Sequence, residues 1–522
     1  MNSQVHLGDA FMQGITFFSS LLISLIISIY YTSLLCGKGS DHPVHIFLVN
    51  VIRESNHRLF NRVPRILNEA YCGAYPLFLH WVLSFFSLHT IDTVARILNP
   101  SINLALVLLL YSIMESHKIL YSIFGLTCLI FILTPQFYHA GNARNFGISS
   151  RPIGLILFIL YSFLIYNLNV SFSLRIFLGS IFVGYLIWGF NTFAQQTMIL
   201  FGIIWGLVFH NWIMLGLAFL SIVPFIILHP KYSISYLKHT VLFIKTYATD
   251  IADVYILKSR YSIWRDLIYD VWIRIRKFTQ KDLYYIYNNS FLVILFLNPL
   301  IFIASFVGLS GYSQNSLLIY CSRMALLGLL LFILTSFRST RFLGEPERYV
   351  EMVTPFSTIA AVFYIMNTFG LHMIVYLIIY FVIMTLLQLI VAYLIKENAS
   401  HVNISSICQI TKDIVGREFQ TEDVRFCSNN EELTKYFMTE KWCFARSWSP
   451  EVDLGGEKYR NFFSQFPMVR KQPFENILTE YKINLCLLDK NNFHDIFIRD
   501  LDHNRIHIIC DSEYFRLYHL KW

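Results

Sequence analysis

A chain of 522 residues that is 55% hydrophobic, 17% aromatic and only 14% charged is too apolar for one or two water-soluble domains. Its formal net charge of +8 does not point to nucleic acid, because the basic residues lie in loops between apolar runs; anionic lipids or phosphorylated substrates are the partners it favours. The nine cysteines show no CxxC or Cys/His metal spacing and say nothing of redox compartment.

In chain order, the first apolar run, around Phe11 to Leu35, lacks a basic n-region and a small-residue cleavage site, and so reads as a retained span. Counting from 12–35, further runs at 100–114, 118–137, 152–168, 173–190, 197–210, 211–229, 290–309, 317–337, 352–368 and 371–395 bring the expected total to about eleven spans. The runs at 100–114 and 197–210 are short, and a split between spans is expected near His210.

Two long polar connections, 36–99 and 230–289, separate these runs. Within the first, "YPLFLHWVLSFFSL" is too short as a helix, at about 1.5 Å per residue, for a hydrocarbon core of about 30 Å, and is expected to lie in the interface. That choice fixes the parity. The loops carrying Asp41, Arg144, Gln195, Lys258 and Glu347, and the C-terminal residues, then all face one side. A plain count of six Lys or Arg in 36–99 and ten in 231–288 would place these loops in the cytoplasm. Connections of about 60 residues largely escape that rule, and the external orientation is the one expected. After Lys396 charged residues become frequent, and "INLCLLD", "RIHIICDS" and "YFRLYHLKW" read as short strands around a helix-like "FHDIFIRDL". The expected organisation is a polytopic α-helical membrane module over 1–396, with a small soluble α/β domain over 397–522.

Chemistry-bearing residues cluster in the polar segments. "GSDHPVHIFLVNVIRES" places Asp41 one helical turn before His45, a spacing able to hold a metal or pass a proton; Asp41 ahead of His42-Pro43 equally suits a helix N-cap. "NARNFGISSRPIGL" sets Arg144 and Arg151 at the mouth of a span. Guanidinium groups beside a helix N-terminus make a phosphate site, and snorkelling to lipid head groups is the plainer alternative. "WGFNTFAQQTMIL" carries Asn191, Gln195 and Gln196 at a span end. "LKSRYSIWRDLIYDVWIRIRKFTQKDLYYIY" mixes basic residues with Trp264 and Trp272, as an amphipathic helix on an anionic membrane does. Finally, "FRSTRFLGEPERYVEMVTPF" gathers Glu345, Glu347, Glu351, Arg338, Arg341 and Arg348 between two apolar runs. Charge at membrane depth pairs or lines a cavity; Arg348 either neutralises a neighbouring carboxylate or grips a phosphate.

Taken in order, these motifs resemble those of the GT-C glycosyltransferases, integral membrane enzymes that take sugars from polyprenyl-phosphate or polyprenyl-diphosphate carriers. "SDHPVHIFLVNVIRES" followed by "AYPLFLHWVLS" looks like the family's first external loop, and "NARNFGISSRPIGL", "NTFAQQ" and "GEPERYVEMVTP" are similar to its later motifs. The resemblance implies an inverting transfer to an acceptor hydroxyl on a glycan, lipid or protein at the external face of an inner or plasma membrane, with the C-terminal domain external or periplasmic. It implies a catalytic role for Asp41, assisted by His45, and carrier-phosphate binding by Arg144, Arg151 and Arg348. Glu345 and Glu347 are expected to bind substrate, and Asp41 and Glu347 to hold a divalent cation such as Mg or Mn. A second Asp-x-Asp motif is missing from 138–151, and the WWD acceptor motif of oligosaccharyltransferases is missing from the C-terminal domain. The alternatives are a polysaccharide polymerase or ligase of the O-antigen type and a lipid-linked-sugar flippase or transporter.

Overall fold

In the computed structural model the described residues are 2–36, 41–60, 62–67, 75–116, 121–134, 147–246, 290–310, 315–337, 339–399, 404–419, 424–446, 463–465, 469–491, 494–499 and 505–521. They fall into two compact units, the first within Met1–Cys36, His89–Leu228 and Ile256–Lys396, the second within Gly37–Leu88, His229–Tyr255 and Glu397–Trp522. The first polar connection and the start of the second join the C-terminal residues rather than the helices they link.

The first unit is helical. Among the described residues seven helices are long and apolar enough to cross a membrane: Gly14–Leu35, Leu88–Ser116, Arg151–Val170, Thr192–Phe209, Ser316–Thr335, Pro346–Phe369 and Leu371–Leu394. Shorter apolar stretches at Ile123–Leu133, Leu174–Phe190, Ile213–Leu228 and Leu300–Ser310 account for the other apolar runs. The run expected at 100–114 belongs to a helix that starts at Leu88 and carries Pro100 in its interior. His89, Asp92 and Arg96 in its first turns dilute the hydropathy and hide its true start. The split near His210 is real: that residue is left-handed (φ 53°), ends the preceding helix, and is followed by Asn211, whose Oδ1 accepts from the Ile213 amide at 3.1 Å.

Burial orders these helices. In Pro346–Phe369, 78% of the apolar window is buried, against 28% for both Gly14–Leu35 and Leu371–Leu394, so the first is interior and the other two turn apolar side chains outward to lipid. The interior helix packs against Tyr121–Leu133, Arg151–Val170, Leu300–Ser310 and Ser316–Thr335.

The second unit is built on a five-stranded sheet. Its strands are β1 (Arg425–Ser428), β2 (Cys443–Phe444), β5 (Leu485–Asp489), β6 (Ile506–Asp511) and β7 (Phe515–Leu520), in the order β2-β1-β5-β7-β6; β3 (Phe463–Gln465) and β4 (Val469–Arg470) form a separate ladder. β1 is parallel to β2 and β5, whereas β7 is antiparallel to β5 and β6. The strands expected from "INLCLLD", "RIHIICDS" and "YFRLYHLKW" are β5, β6 and β7.

The first polar connection extends this sheet. The Phe444 amide donates to the Arg65 carbonyl at 2.7 Å and the Leu67 amide to the Phe444 carbonyl at 2.7 Å, so residues 65–67 run parallel along the β2 edge and cover it. Arg65 also donates to the Glu440 carbonyl at 2.7 Å and lies 4.9 Å from the Phe47 ring, which meets Phe444 edge-on. The helix Asp41–Glu54 is thereby docked on the C-terminal sheet.

The interfacial helix expected over 75–88 is only half as long. It spans Phe78–Ser84 and is tied through its middle and C-terminal end to residues 53–57: Arg53 donates to the Ser84 and Phe86 carbonyls, and Trp81 Nε1 donates to the His57 carbonyl at 3.0 Å. The helix Pro230–Thr246 joins the same unit, since the Leu77 amide donates to the Tyr232 hydroxyl at 3.0 Å.

Candidate active site

Three of the polar motifs converge in the first unit. Asn191 precedes the helix Thr192–Phe209 and caps it, its Oδ1 accepting from the Ala194 amide at 2.8 Å, while its Nδ2 donates to Ser150 Oγ at 3.2 Å. Ser150 in turn precedes Arg151, the first residue of the helix Arg151–Val170. The approach is so close that a Cβ on Gly154 would lie 2.5 Å from Asn191 Cγ, which is why that position carries glycine.

On the other side of the same helix end, the Phe193 ring lies 4.8 Å from Tyr349 and 5.4 Å from the Arg348 guanidinium. Gly344, held at φ +113°, lets the chain turn beside Phe193 and Gln196 into the helix Pro346–Phe369. The N-termini of three helices, at residues 151, 192 and 346, therefore meet around Asn191 and Phe193.

This junction is electropositive by construction. Each helix N-terminus carries about half a positive charge, and the guanidinium groups of Arg151 and Arg348 stand in the first turns of two of them. Neither Ser150 nor Glu345 caps its helix through its side chain; the Arg151 amide donates instead to Ser149 Oγ at 3.2 Å and the Arg348 amide to the Glu345 carbonyl at 3.2 Å, so the anion is offered the helix dipoles and the two guanidinium groups. Arg348 is ion-paired with Glu345 three residues earlier, and Glu347 sits in the first turn of the same helix, where the dipole favours a carboxylate. Of the two sequence readings for Arg348, the structure shows charge neutralisation by Glu345; an incoming phosphate has to compete with that carboxylate. Gln195 is buried, with Nε2 donating to the Trp188 carbonyl at 2.7 Å.

A second polar site lies in the other unit. His45 Nδ1 and His80 Nε2 are 2.9 Å apart with their rings within 15° of parallel, and the Tyr75 hydroxyl lies 3.2 Å from His45 Nε2. His80 is 0% exposed and His45 2%. Burial pushes the His80 pKa well below the ordinary histidine range, and His45 adds to the effect, while the Pro76 carbonyl offsets part of it. His80 Nδ1 makes no hydrogen bond of ordinary geometry. One pair of neutral tautomers then fits: Tyr75 donates to His45 Nε2, and His45 Nδ1–H donates to His80 Nε2, leaving the remaining proton on His80 Nδ1.

Asp41 is the first residue of the helix that carries His45, and Pro43 falls in its first turn; the Asp41 side chain lies outside the described residues. Arg144, Arg338 and the segment 257–287 with Trp264 and Trp272 also lie outside them. Among the described residues no three His, Cys, Asp or Glu side chains gather to hold a metal ion. Sequence reading passed over His80, Ser150 and Phe193. A histidine inside an apolar heptapeptide, "FLHWVLS", was the available signal for the first; nothing short of the fold could reveal the other two.

No family model matches the chain, and no curated protein matches it in sequence. Among solved structures it is similar to ArnT from Cupriavidus metallidurans, in a crystal structure bound to undecaprenyl phosphate. The identity is 11% over 96% of this chain and 97% of that chain, with a TM-score of 0.46.

Proposed function

We propose that the protein is a glycosyltransferase of the GT-C type, moving a sugar from a polyprenyl-(di)phosphate carrier to an acceptor hydroxyl at the external membrane face. The observation that carries this reading is the meeting of three helix N-termini with Arg151 and Arg348, in a helical module apolar enough to sit in a membrane. Such a junction suits the phosphate of a lipid-borne leaving group. The acceptor oxygen attacks the anomeric carbon as the bond from that carbon to the carrier phosphate oxygen breaks. The proton passes to the Asp41 carboxylate, and the negative charge that develops on the phosphate is met by Arg151, Arg348 and the helix ends. A single displacement of this kind inverts the anomeric centre. Arg144 is assigned to the same phosphate, and Glu345 and Glu347 to the substrate's polar groups. His45, bonded at both ring nitrogens, acts as a positioning residue for the helix that Asp41 opens.

Against a transporter, the buried polar side chains of the seven long helices are uncharged Ser, Thr, Asn and Gln among the described residues, whereas coupled transport places ionisable groups there.

The test is transfer from a panel of polyprenyl-phosphate sugars by purified protein, with Asp41→Asn alongside. No transfer from any donor, or equal transfer by the variant, sinks the reading or the Asp41 role respectively.

A further inference from the structure

The helix Pro230–Thr246 has three distinct faces. Tyr232, Ser233 and Tyr236 are buried, with the Tyr232 hydroxyl accepting from the Leu77 amide. Ile234 and Val241, seven residues apart, are 59% and 69% exposed, which is unusual for β-branched apolar side chains unless lipid covers them. Beside that apolar row runs a basic one, Lys231, Lys238 and Lys245, again spaced by seven residues and each exposed. Every lysine stands four residues after an apolar position of the row (Ile227, Ile234, Val241), the arrangement in which lysine stems cover apolar surface and their ammonium groups reach up to the head-group layer.

Between the two rows lies a groove of about 380 Å³, lined by Pro230, Lys231, Ile234, Ser235, Lys238 and His239. It holds no carboxylate, and neither Lys231 nor Lys238 makes an ion pair among the described residues. His239 is turned inward, its Nδ1 2.6 Å from the Ser235 carbonyl, and burial and the neighbouring Lys238 hold its pKa below the ordinary range, so the positive charge of the groove comes from the lysines. The chain enters this helix directly from the apolar helix ending at Leu228, which sets its start at the membrane boundary.

We propose that the helix Pro230–Thr246 lies in the membrane interface and binds the phosphate of an anionic phospholipid headgroup between Lys231 and Lys238, with the acyl chains along Ile234 and Val241. This lipid is a bound constituent of the membrane, distinct from any sugar carrier, and its site is independent of the transferase reading.

The test uses the detergent-solubilised full chain and native mass spectrometry of bound lipid, titrating phosphatidylglycerol, phosphatidylcholine, polyprenyl phosphate and inorganic phosphate. Phosphatidylglycerol should bind more tightly than phosphatidylcholine, and the affinity difference should fall about fivefold for Lys231→Gln or Lys238→Gln and about thirtyfold for both. Lys231→Arg/Lys238→Arg should retain the binding, which separates lost charge from lost folding. Equal phosphatidylglycerol affinity in the wild type and the double glutamine variant overturns the proposal. So does a variant that loses polyprenyl phosphate or inorganic phosphate while keeping phosphatidylglycerol. A change from dimer to monomer in the variant without loss of lipid assigns the face to a second copy and overturns it too.

Discussion

The helix-end junction of the first unit and the histidine pocket of the second use polar groups in opposite ways. Around Asn191, positive potential comes from peptide dipoles and the Arg151 guanidinium, with Arg348 held in an ion pair to Glu345. Around His80, burial pushes its imidazole toward the neutral form, and its Nε2 bonds the equally buried His45. Fixed positive charge suits an anion that must be held and released. A buried, hydrogen-bonded histidine suits a rigid support whose charge state changes with acidity. A chain with only 14% charged residues separates the two tasks rather than mixing them.

Variants can break this contrast, beginning with the largest expected effect. Asp41→Asn should lower transfer by about 10²–10⁴-fold while leaving the melting temperature unchanged, as loss of a general base does. Arg348→Gln should cost about 10²-fold in turnover, the usual loss when one donor to a developing charge is removed; a drop confined to stability would instead make Arg348 structural. Gly154→Val should destabilise by about 1–3 kcal/mol, because its Cβ would meet Asn191 at 2.5 Å and force two helix ends apart; thermal melting in detergent reads this directly.

The histidine pocket should answer to pH and the junction should not. Unfolded, His80 takes up a proton near pH 6.5, whereas in the fold its pKa lies well below that. Below about pH 6.5 the unfolded chain binds more protons than the native one, so stability falls as pH drops from there toward the folded pKa, and is fully present above. Melting temperatures between about pH 7.5 and 5 should show that slope, flattened in His80→Phe. The smallest effect belongs to Glu345→Gln, which frees Arg348 from its ion pair: affinity for polyprenyl phosphate alone, which carries no sugar, should rise a few-fold, and a fall would mean that Glu345 meets the phosphate rather than the sugar or acceptor.

The helices were legible because about 20 apolar residues have few other uses, and even the boundary at His210 could be read from sequence. The strands β5, β6 and β7 were legible by alternation. β1 and β2, four and two residues long, are too short to show a period. Nor does any local signal tell that residues 65–67 cover the β2 edge, since that pairing joins positions some 375 residues apart, the separation of Arg65 and Glu440. The site divides similarly. Asn191, Arg151 and Arg348 stood out as polar residues at span ends, but their convergence depends on Gly154 and Phe193, which look like ordinary helix residues. Arg348 also shows the limit of charge counting, because its neighbour Glu345, three residues before it, satisfies it first.

The central claim is that the junction of helix ends holds a lipid-borne phosphate. Equilibrium binding of polyprenyl phosphate to the purified full chain, compared with Arg151→Gln/Arg348→Gln and with Lys231→Gln/Lys238→Gln, tests it most directly. The arginine pair should lose most of the affinity, at least tenfold by the usual strength of charge-assisted bonds, and the lysine pair should keep it. Unchanged binding in a folded arginine variant would contradict the account.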